Sequence, residues 1–278
     1  MSSLEFYETL LAKKRLRGLD DLYFFNKYIV ETNPDRRKFI VPHVHKEWSD
    51  WYNNSKKRIK MILVPRGSFK STFFTVGKSL QLIAKNRNER ILIANATLSN
   101  SQNFLSEIKD HLTKNKEYNL LYSAHNGVNT PMFSKNLRWN EDQIEVGGRD
   151  TGIREPTITA VGVGGNLVSQ HYSFILADDL VSDVNSATRY QADKVIDWWK
   201  KSFSLLDPDG EMLIIGTRWA YYELYSYILD HLPDQVDALI HSAYNEDGSL
   251  YFPERLSEKK LKELKELHGS YFFSAFYL

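Results

Sequence analysis

The 278-residue chain contains no cysteine. Disulfides and thiolate metal sites are therefore excluded, and a reducing interior is the expected setting. No apolar run approaches the roughly 20 residues that a membrane-spanning helix needs, so no membrane partner is expected. The opening residues, Met1 to Glu8, carry no apolar stretch behind a basic start, and a signal peptide is not expected there. An excess of one charge is also missing. The 36 Lys and Arg residues against 35 Asp and Glu leave a formal net charge of +1. A uniformly basic coat for nucleic acid is thereby disfavoured, while a local basic strip stays open. There is no internal repeat and no low-complexity tract. What remains is an ordinary globular composition, 42% hydrophobic and 26% charged. Such a chain can bury a sizeable core, as one large domain or two small ones.

Residues 1–33 place Leu, Tyr, Phe and Lys at helical spacing, which predicts an arm of one or two amphipathic helices ended by Asn33, Pro34 and Asp35. Residues 44–52 read as a helix with Trp48 and Trp51 on one face. The centre alternates as an α/β domain does. Strands are expected at 59–64, 89–94, 137–146, 157–163, 172–177, 212–215 and 236–241. Helices are expected at 70–85, at 101–113 with Asn100 as its cap, at 191–205, around 222–230 and, strongly charged, at 254–267. Pro208, Asp209 and Gly210 signal a turn. Buried strands alternating with helices predict a mostly parallel sheet covered on both faces.

One stretch carries more chemistry than the rest. Met61 to Val64 is an apolar strand, Pro65 and Gly67 break it, and Lys70, Ser71 and Thr72 open a helix. Strand, short loop and Lys-Ser at a helix start is the layout of a phosphate-binding P-loop. Backbone N–H groups there hold anions, the lysine adds a full charge, and the hydroxyl can ligate magnesium. The strict pattern has a second glycine where this chain has Phe69. A chance strand-loop-helix with a surface lysine is the competing reading of this segment. Further on, the apolar strand from Tyr172 ends in Asp178 and Asp179. An acid at a strand's carboxyl end suits the magnesium side of a nucleotidase, and a second acid could polarise the attacking water. A plain turn after a core strand is the alternative. The strand from Met212 ends in Gly216, Thr217 and Arg218. Strand carboxyl ends gather at the ligand crevice of a parallel sheet, so Thr217 could sense a γ-phosphate.

In series, these blocks resemble the ATPase domain of the large terminase subunit of tailed bacteriophages. The match rests on Val64 to Thr72, on the Gly-rich Ala160 to Gly165, on Asp178 to Val181 followed by Ser186 to Arg189 and by Trp198 and Trp199, and on Gly216 to Trp219. The resemblance spans roughly residues 60–220. It implies an α/β P-loop NTPase of the ASCE type, with a mostly parallel central sheet flanked by helices and a small C-terminal lid. It divides the chain into an ATPase core at 1–235, including the arm at 1–33, and a lid or linker at 236–278. Nothing fits the nuclease domain of such proteins, which implies a truncated chain or a nuclease half located elsewhere.

The resemblance also implies roles. Lys70 and the backbone of Gly67, Ser68, Phe69, Lys70, Ser71 and Thr72, a Walker A segment, would hold the phosphates of ATP. Ser71 and the Walker B Asp178 would hold Mg²⁺. Asp179 would activate water, where many relatives use Glu. Arg66 would contact the γ-phosphate, and Thr217 would couple hydrolysis to motion. His45 is the candidate for the adenine pocket. An arginine supplied in trans by a neighbouring subunit is expected, with Arg149, Arg154 and Arg189 as candidates. The implied function is a motor that moves double-stranded DNA into a procapsid in the host cytoplasm. Its implied partners are a portal protein, a small terminase subunit and further copies in a homo-oligomeric ring, with five expected, while the isolated chain could be a monomer.

Three other readings stay open. A helicase-like or AAA-type remodeller shares the P-loop, although 278 residues leave little room for a second motor. A metal-dependent nuclease using Asp178, Asp179 and Asp183 leaves Lys70 unexplained. A binding module with a decayed site leaves the retained Lys, Ser and acids unexplained. The basic clusters at Lys13–Arg15, Lys56–Arg58 and Lys200–Lys201 are candidate phosphate contacts, but charge runs more often form solvated faces.

Overall fold

The computed structural model describes residues 3–125, 128–167, 170–219 and 222–277. The arm comprises α1 (Ser3–Asp20), α2 (Leu22–Phe25), a π-helical turn (Asn26–Val30) and α3 (Pro34–Arg37). A second π-helical turn (Pro42–Lys46) leads into α4 (Glu47–Asn54). The α/β body follows with β1 (Ile59–Leu63), a third π-helical turn (Thr72–Val76), α5 (Gly77–Lys85), β2 (Ile91–Asn95), α6 (Leu98–Lys114) and α7 (Lys116–Tyr122). Next come β3 (Ala124–His125), β4 (Val128–Asn129), β5 (Gln143–Ile144), β6 (Ile158–Gly162), β7 (Tyr172–Asp178) and α8 (Arg189–Phe203). The chain closes with β8 (Leu206–Gly216), α9 (Leu224–His231), β9 (Val236–Ile240) and α10 (Glu258–Tyr277).

Seven strands form one sheet in the order β5-β6-β2-β7-β8-β1-β9. All neighbours run parallel except β5, which is antiparallel to β6. The central strands are buried on both faces, which is why they read as unbroken apolar runs. β8 lies between β1 and β7, so an additional strand separates the P-loop strand from the acidic strand. This is the expected α/β P-loop architecture.

One face of the sheet packs against the arm, α4, α5 and α6 around Phe25, Trp48, Phe73, Phe74 and Leu105. The other packs against α8 and α9 through Trp198, Trp199 and Tyr225. Trp48 is fully buried, and its indole N–H donates to the Tyr251 hydroxyl at 2.8 Å. Burying a side chain of that size contributes about 2–3 kcal/mol, and the bond avoids an orphaned donor.

Several expectations change in the fold. The helix expected from residue 101 starts at Leu98, with the Thr97 hydroxyl as its cap rather than Asn100. The helix expected from 191 starts at Arg189, because Thr188 and Gln191 form a reciprocal capping box. The turn expected at 208–210 lies inside β8 as a bulge, between the Leu206–Tyr172 and Glu211–Phe174 pairs. β8 runs through it, with a register shift between Tyr172 and Phe174 on β7, and Arg58 donates to Gly210 O at 2.9 Å. A proline is tolerated there because it lies near the start of the strand, beside an irregularity. Of the strand expected at 137–146, only Gln143–Ile144 pairs with the sheet, and Trp139 bridges back to Ile144. The boundary expected after residue 235 falls inside the sheet, since β9 pairs along the whole of β1. The later segment has its own small core of Ala243, Leu256, Leu261, Phe273, Phe276 and Tyr277. Gly269, at φ 71°, kinks α10 and turns its last residues onto the carboxyl edge of β1.

Candidate active site

β1 ends at Leu63, and the loop that follows is shaped by two left-handed residues, Gly67 at φ 83° and Phe69 at φ 66°. A Cβ on Gly67 would meet nothing within 4 Å, so the dihedral rather than crowding calls for glycine. Phe69 stands where a strict P-loop has its second glycine, and it adopts the same hand at a cost of about 1–2 kcal/mol. Its ring offsets that cost by packing beside Phe39, with centroids 6.3 Å apart, and under the Arg255 guanidinium, 4.6 Å from the ring centre. The Ser68 hydroxyl donates to Pro65 O at 2.7 Å and ties the loop to itself.

His45 lies behind the loop, with no exposed surface. Val41 N–H donates to its Nδ1 at 3.2 Å, so Nε2 carries the proton and donates to Ser68 O at 3.1 Å. Burial pushes its pKa down to about 4 and keeps the ring neutral. Trp48, Phe73 and Phe252 surround it. With both nitrogens engaged and no open face, the ring is not placed to touch a nucleotide. The adenine contact expected of His45 becomes a brace on the P-loop.

The remaining groups converge at the carboxyl edge of the sheet. Lys70 is buried, and its Nζ donates to Thr217 Oγ1 at 2.6 Å, a contact across 147 residues of sequence. The same Nζ lies 3.7 Å from Asp179 Oδ1, an ion pair too long to be a hydrogen bond. Asp179 Oδ1 is buried and accepts no hydrogen bond. Ser71 Oγ donates to Asp178 Oδ1 at 3.1 Å, and Thr75 Oγ1 to Asp178 Oδ2 at 2.5 Å. Asp178 is wholly buried, and burial, then the charge of Asp179, push its pKa up to about 7 against the pull of Thr75, Lys70 and Ser71. A buried carboxylate beside a serine hydroxyl is an all-oxygen donor set of the kind a hard divalent cation takes, and a cation there would offset the burial of charge. The residues present therefore fit magnesium. Thr72 is half-buried at the start of the third π-helical turn and, with Phe69 and Glu31, lines a void of about 10 Å³.

A cleft of about 460 Å³ opens onto this edge, bounded by Arg66, Asn95, Asn100, Asp179, Asp183 and Trp219. Arg66 borders it but turns away from the phosphate side. Its guanidinium lies 3.8 Å from the Phe276 ring centre and 4.7 Å from that of Trp219. The three arginines considered for a trans role are scattered. Arg149 donates to Glu155 O at 2.8 Å and precedes β6, beside Asn88 and Asp150, at the amino end of the strands. Arg154 is exposed in the same region. Both lie across the sheet from this chain's own P-loop. Arg189 starts α8 on the P-loop side, exposed and paired with Asp193 at 3.1 Å. The segment at 166–171, which lacks an arginine, contains two residues outside those described.

Four residues here were not anticipated: Asn95, Thr75, Tyr225 and Glu223. Thr75 lies one turn after Ser71 and Asn95 is the polar end of an apolar strand, so both had a visible pattern. Glu223 accepts from Trp219 N at 2.9 Å, and Tyr225 packs beneath Gly216. Neither is marked by local sequence. Among the described residues, no three His, Cys, Asp or Glu side chains gather as a metal group, so Asp183 does not complete a nuclease-like cluster. Among them also, no helix is long and apolar enough to cross a membrane.

No family model and no curated protein matches the sequence. Solved structures do match. The large terminase of a thermophilic bacteriophage, in complex with ADP, is 11% identical with a TM-score of 0.46, over 82% of this chain and 50% of that one. Another crystal form of it is 11% identical with a TM-score of 0.44, over 96% and 52%. The large terminase ATPase domain of a Thermus phage, as a mutant, is 13% identical with a TM-score of 0.50, over 84% of this chain and 92% of that domain. The chain thus spans about half the length of the whole terminases and nearly all of the separate ATPase domain. In fold, it is similar to a large-terminase ATPase domain.

Proposed function

We propose that the chain is a Mg²⁺-dependent ATPase and the motor domain of a viral DNA-packaging terminase. The observation that carries this reading is the meeting of Lys70, Ser71, Asp178, Asp179 and Thr217 at one sheet edge, from three segments of the chain. Backbone N–H groups of Gly67 to Ser71 and the Lys70 ammonium bind the phosphates of ATP. Ser71 and Asp178 would hold Mg²⁺, which would supply positive charge to the phosphates when bound. Asp179, whose Oδ1 has no hydrogen-bond donor, orients a water and takes its proton. The water oxygen bonds to the γ-phosphorus as the bridging oxygen leaves with ADP. Thr217, bonded to Lys70 at 2.6 Å, links the phosphate site to the exit of β8 and so to Trp219 and α9.

On this reading the partners are double-stranded DNA, a portal protein, a small terminase subunit and further copies of the chain in a ring, with five expected. It acts in the host cytoplasm, docked on a procapsid. Arg189, exposed on the P-loop side, is the best placed of the three candidates to serve a neighbour's site. The test is Mg²⁺-dependent ATP turnover across a range of protein concentrations, with and without double-stranded DNA. Turnover rising more steeply than concentration, and further with DNA, supports a motor completed by its neighbour. Strictly proportional turnover that ignores DNA contradicts the motor reading while leaving an ATPase.

A further inference from the structure

Asp179 is held in a conformation that most residues avoid. Its φ is 44°, and the strand β7 ends at the preceding residue. Something must fix the peptide between Asp178 and Asp179, because the left-handed turn decides where the second carboxylate points. The fixing bonds come from both neighbouring strands. Asp179 N–H donates to Ile215 O of β8 at 2.8 Å, and Ala96 N–H donates to Asp179 O at 3.1 Å. The only side chain among the described residues that bonds to the intervening carbonyl is Asn95. Its Nδ2 donates to Asp178 O at 2.7 Å.

Asn95 is itself fully committed. It is 3% exposed at the end of β2. Its Oδ1 accepts from Thr97 N at 3.2 Å and from Asn100 Nδ2 at 3.0 Å. Its carbonyl accepts from Val163 N at 2.9 Å. A buried amide with both ends engaged is locked in orientation, and the donor that points at Asp178 O cannot rotate away without orphaning Oδ1. Asn100, on α6, borders the same cleft as Asp179.

We infer that Asn95 is a positioning residue for ATP hydrolysis: it holds the Asp178–Asp179 peptide so that the Asp179 carboxylate faces the cleft, and it ties that peptide to the start of α6. The inference rests on the ATPase reading above. Asn95 touches neither nucleotide nor water in this scheme. It acts through Asp179, so its loss affects the chemical step rather than phosphate binding.

Two variants separate the role from general support. Asn95→Ala removes both ends of the amide. Asn95→Ser can still accept from Thr97 N through a short hydroxyl turn, yet is too short to reach Asp178 O. Each is compared with wild type for binding of a fluorescent ATP analogue and for Mg²⁺-dependent turnover, alone and combined with Asp179→Asn. The expected result is analogue affinity within about twofold of wild type and turnover reduced by about tenfold or more, the equivalent of one lost hydrogen bond at the transition state. In the Asp179→Asn background, Asn95→Ser is expected to cause no further loss, since the group it positions is already gone. Turnover left intact by Asn95→Ser, a loss seen as weakened binding, or an equal further loss in the Asp179→Asn background would each overturn the inference alone. A wild type without turnover would remove the ATPase reading, and this inference with it.

Discussion

Replacing Phe69 by glycine supplies the second glycine of the strict P-loop pattern, and the structure predicts that it destabilises the protein. Two terms favour glycine or nearly cancel. Relief of the left-handed strain at φ 66° returns about 1–2 kcal/mol, and the greater freedom of glycine in the unfolded chain takes back about 0.5–1 kcal/mol. Against this stands the loss of a half-buried ring. Its burial is worth about 2 kcal/mol, its contact with Phe39 about 0.5–1 kcal/mol, and the Arg255 guanidinium 4.6 Å above it a similar amount. The balance is a loss of about 2–3 kcal/mol, or roughly 4–8 °C in Tm for a domain of this size. The assay is thermal unfolding of wild type, Phe69→Gly and Phe69→Ala. Alanine loses the ring yet keeps a Cβ in the left-handed region, so it is expected to melt below glycine. A glycine variant as stable as wild type would refute the anchoring of the loop by Phe39 and Arg255. An alanine variant more stable than glycine would refute the left-handed backbone.

His45 predicts a pH dependence. Its folded pKa, lowered by burial to about 4, lies below the unfolded value of 6.5, so stability is full above pH 6.5 and is lost as pH falls toward 4. The loss amounts to roughly 3 kcal/mol, and denaturant unfolding of wild type against His45→Gln at pH 7 and 4.5 isolates it from the carboxylates. Thr75→Val removes the hydroxyl on Asp178 Oδ2 and is expected to raise the Mg²⁺ concentration for half-maximal turnover by about tenfold or more, read from a magnesium titration. Phe276→Ala removes the ring under Arg66 and is expected to increase cleavage in the last turns of α10 by limited proteolysis, while Lys259→Ala in the first turn of that helix does not.

The strand-loop-helix of residues 61–76 was legible because its information is local: an apolar strand, a glycine and Lys-Ser follow one another within a dozen residues. The parallel sheet was legible because strands buried on both faces must be apolar throughout. Contacts that depend on folding were not. The placement of His45 depends on Phe252, two hundred residues away, and only that enclosure turns a plausible ligand contact into a brace. Arg66 sits in a P-loop position, yet Phe276 and Trp219 draw its guanidinium aside, and no local pattern announces them. The turn signal at 208–210 became a bulge inside β8: Leu206 pairs with Tyr172 and Glu211 with Phe174, while Arg58 donates to Gly210 O. Thr75 and Asn95 lay in view at helical and strand-end spacing. They stayed silent because hydroxyl and amide groups are common at such places, and only the distances to Asp178 give them a role.

The central claim is that one edge of this sheet binds and hydrolyses ATP through Lys70 and Asp179. Analogue binding and Mg²⁺-dependent ATP turnover, measured side by side on wild type, Lys70→Ala and Asp179→Asn, test it most directly. The account predicts that Lys70→Ala loses both, whereas Asp179→Asn binds the analogue and keeps only a small residual turnover. Turnover unchanged by both substitutions would contradict it.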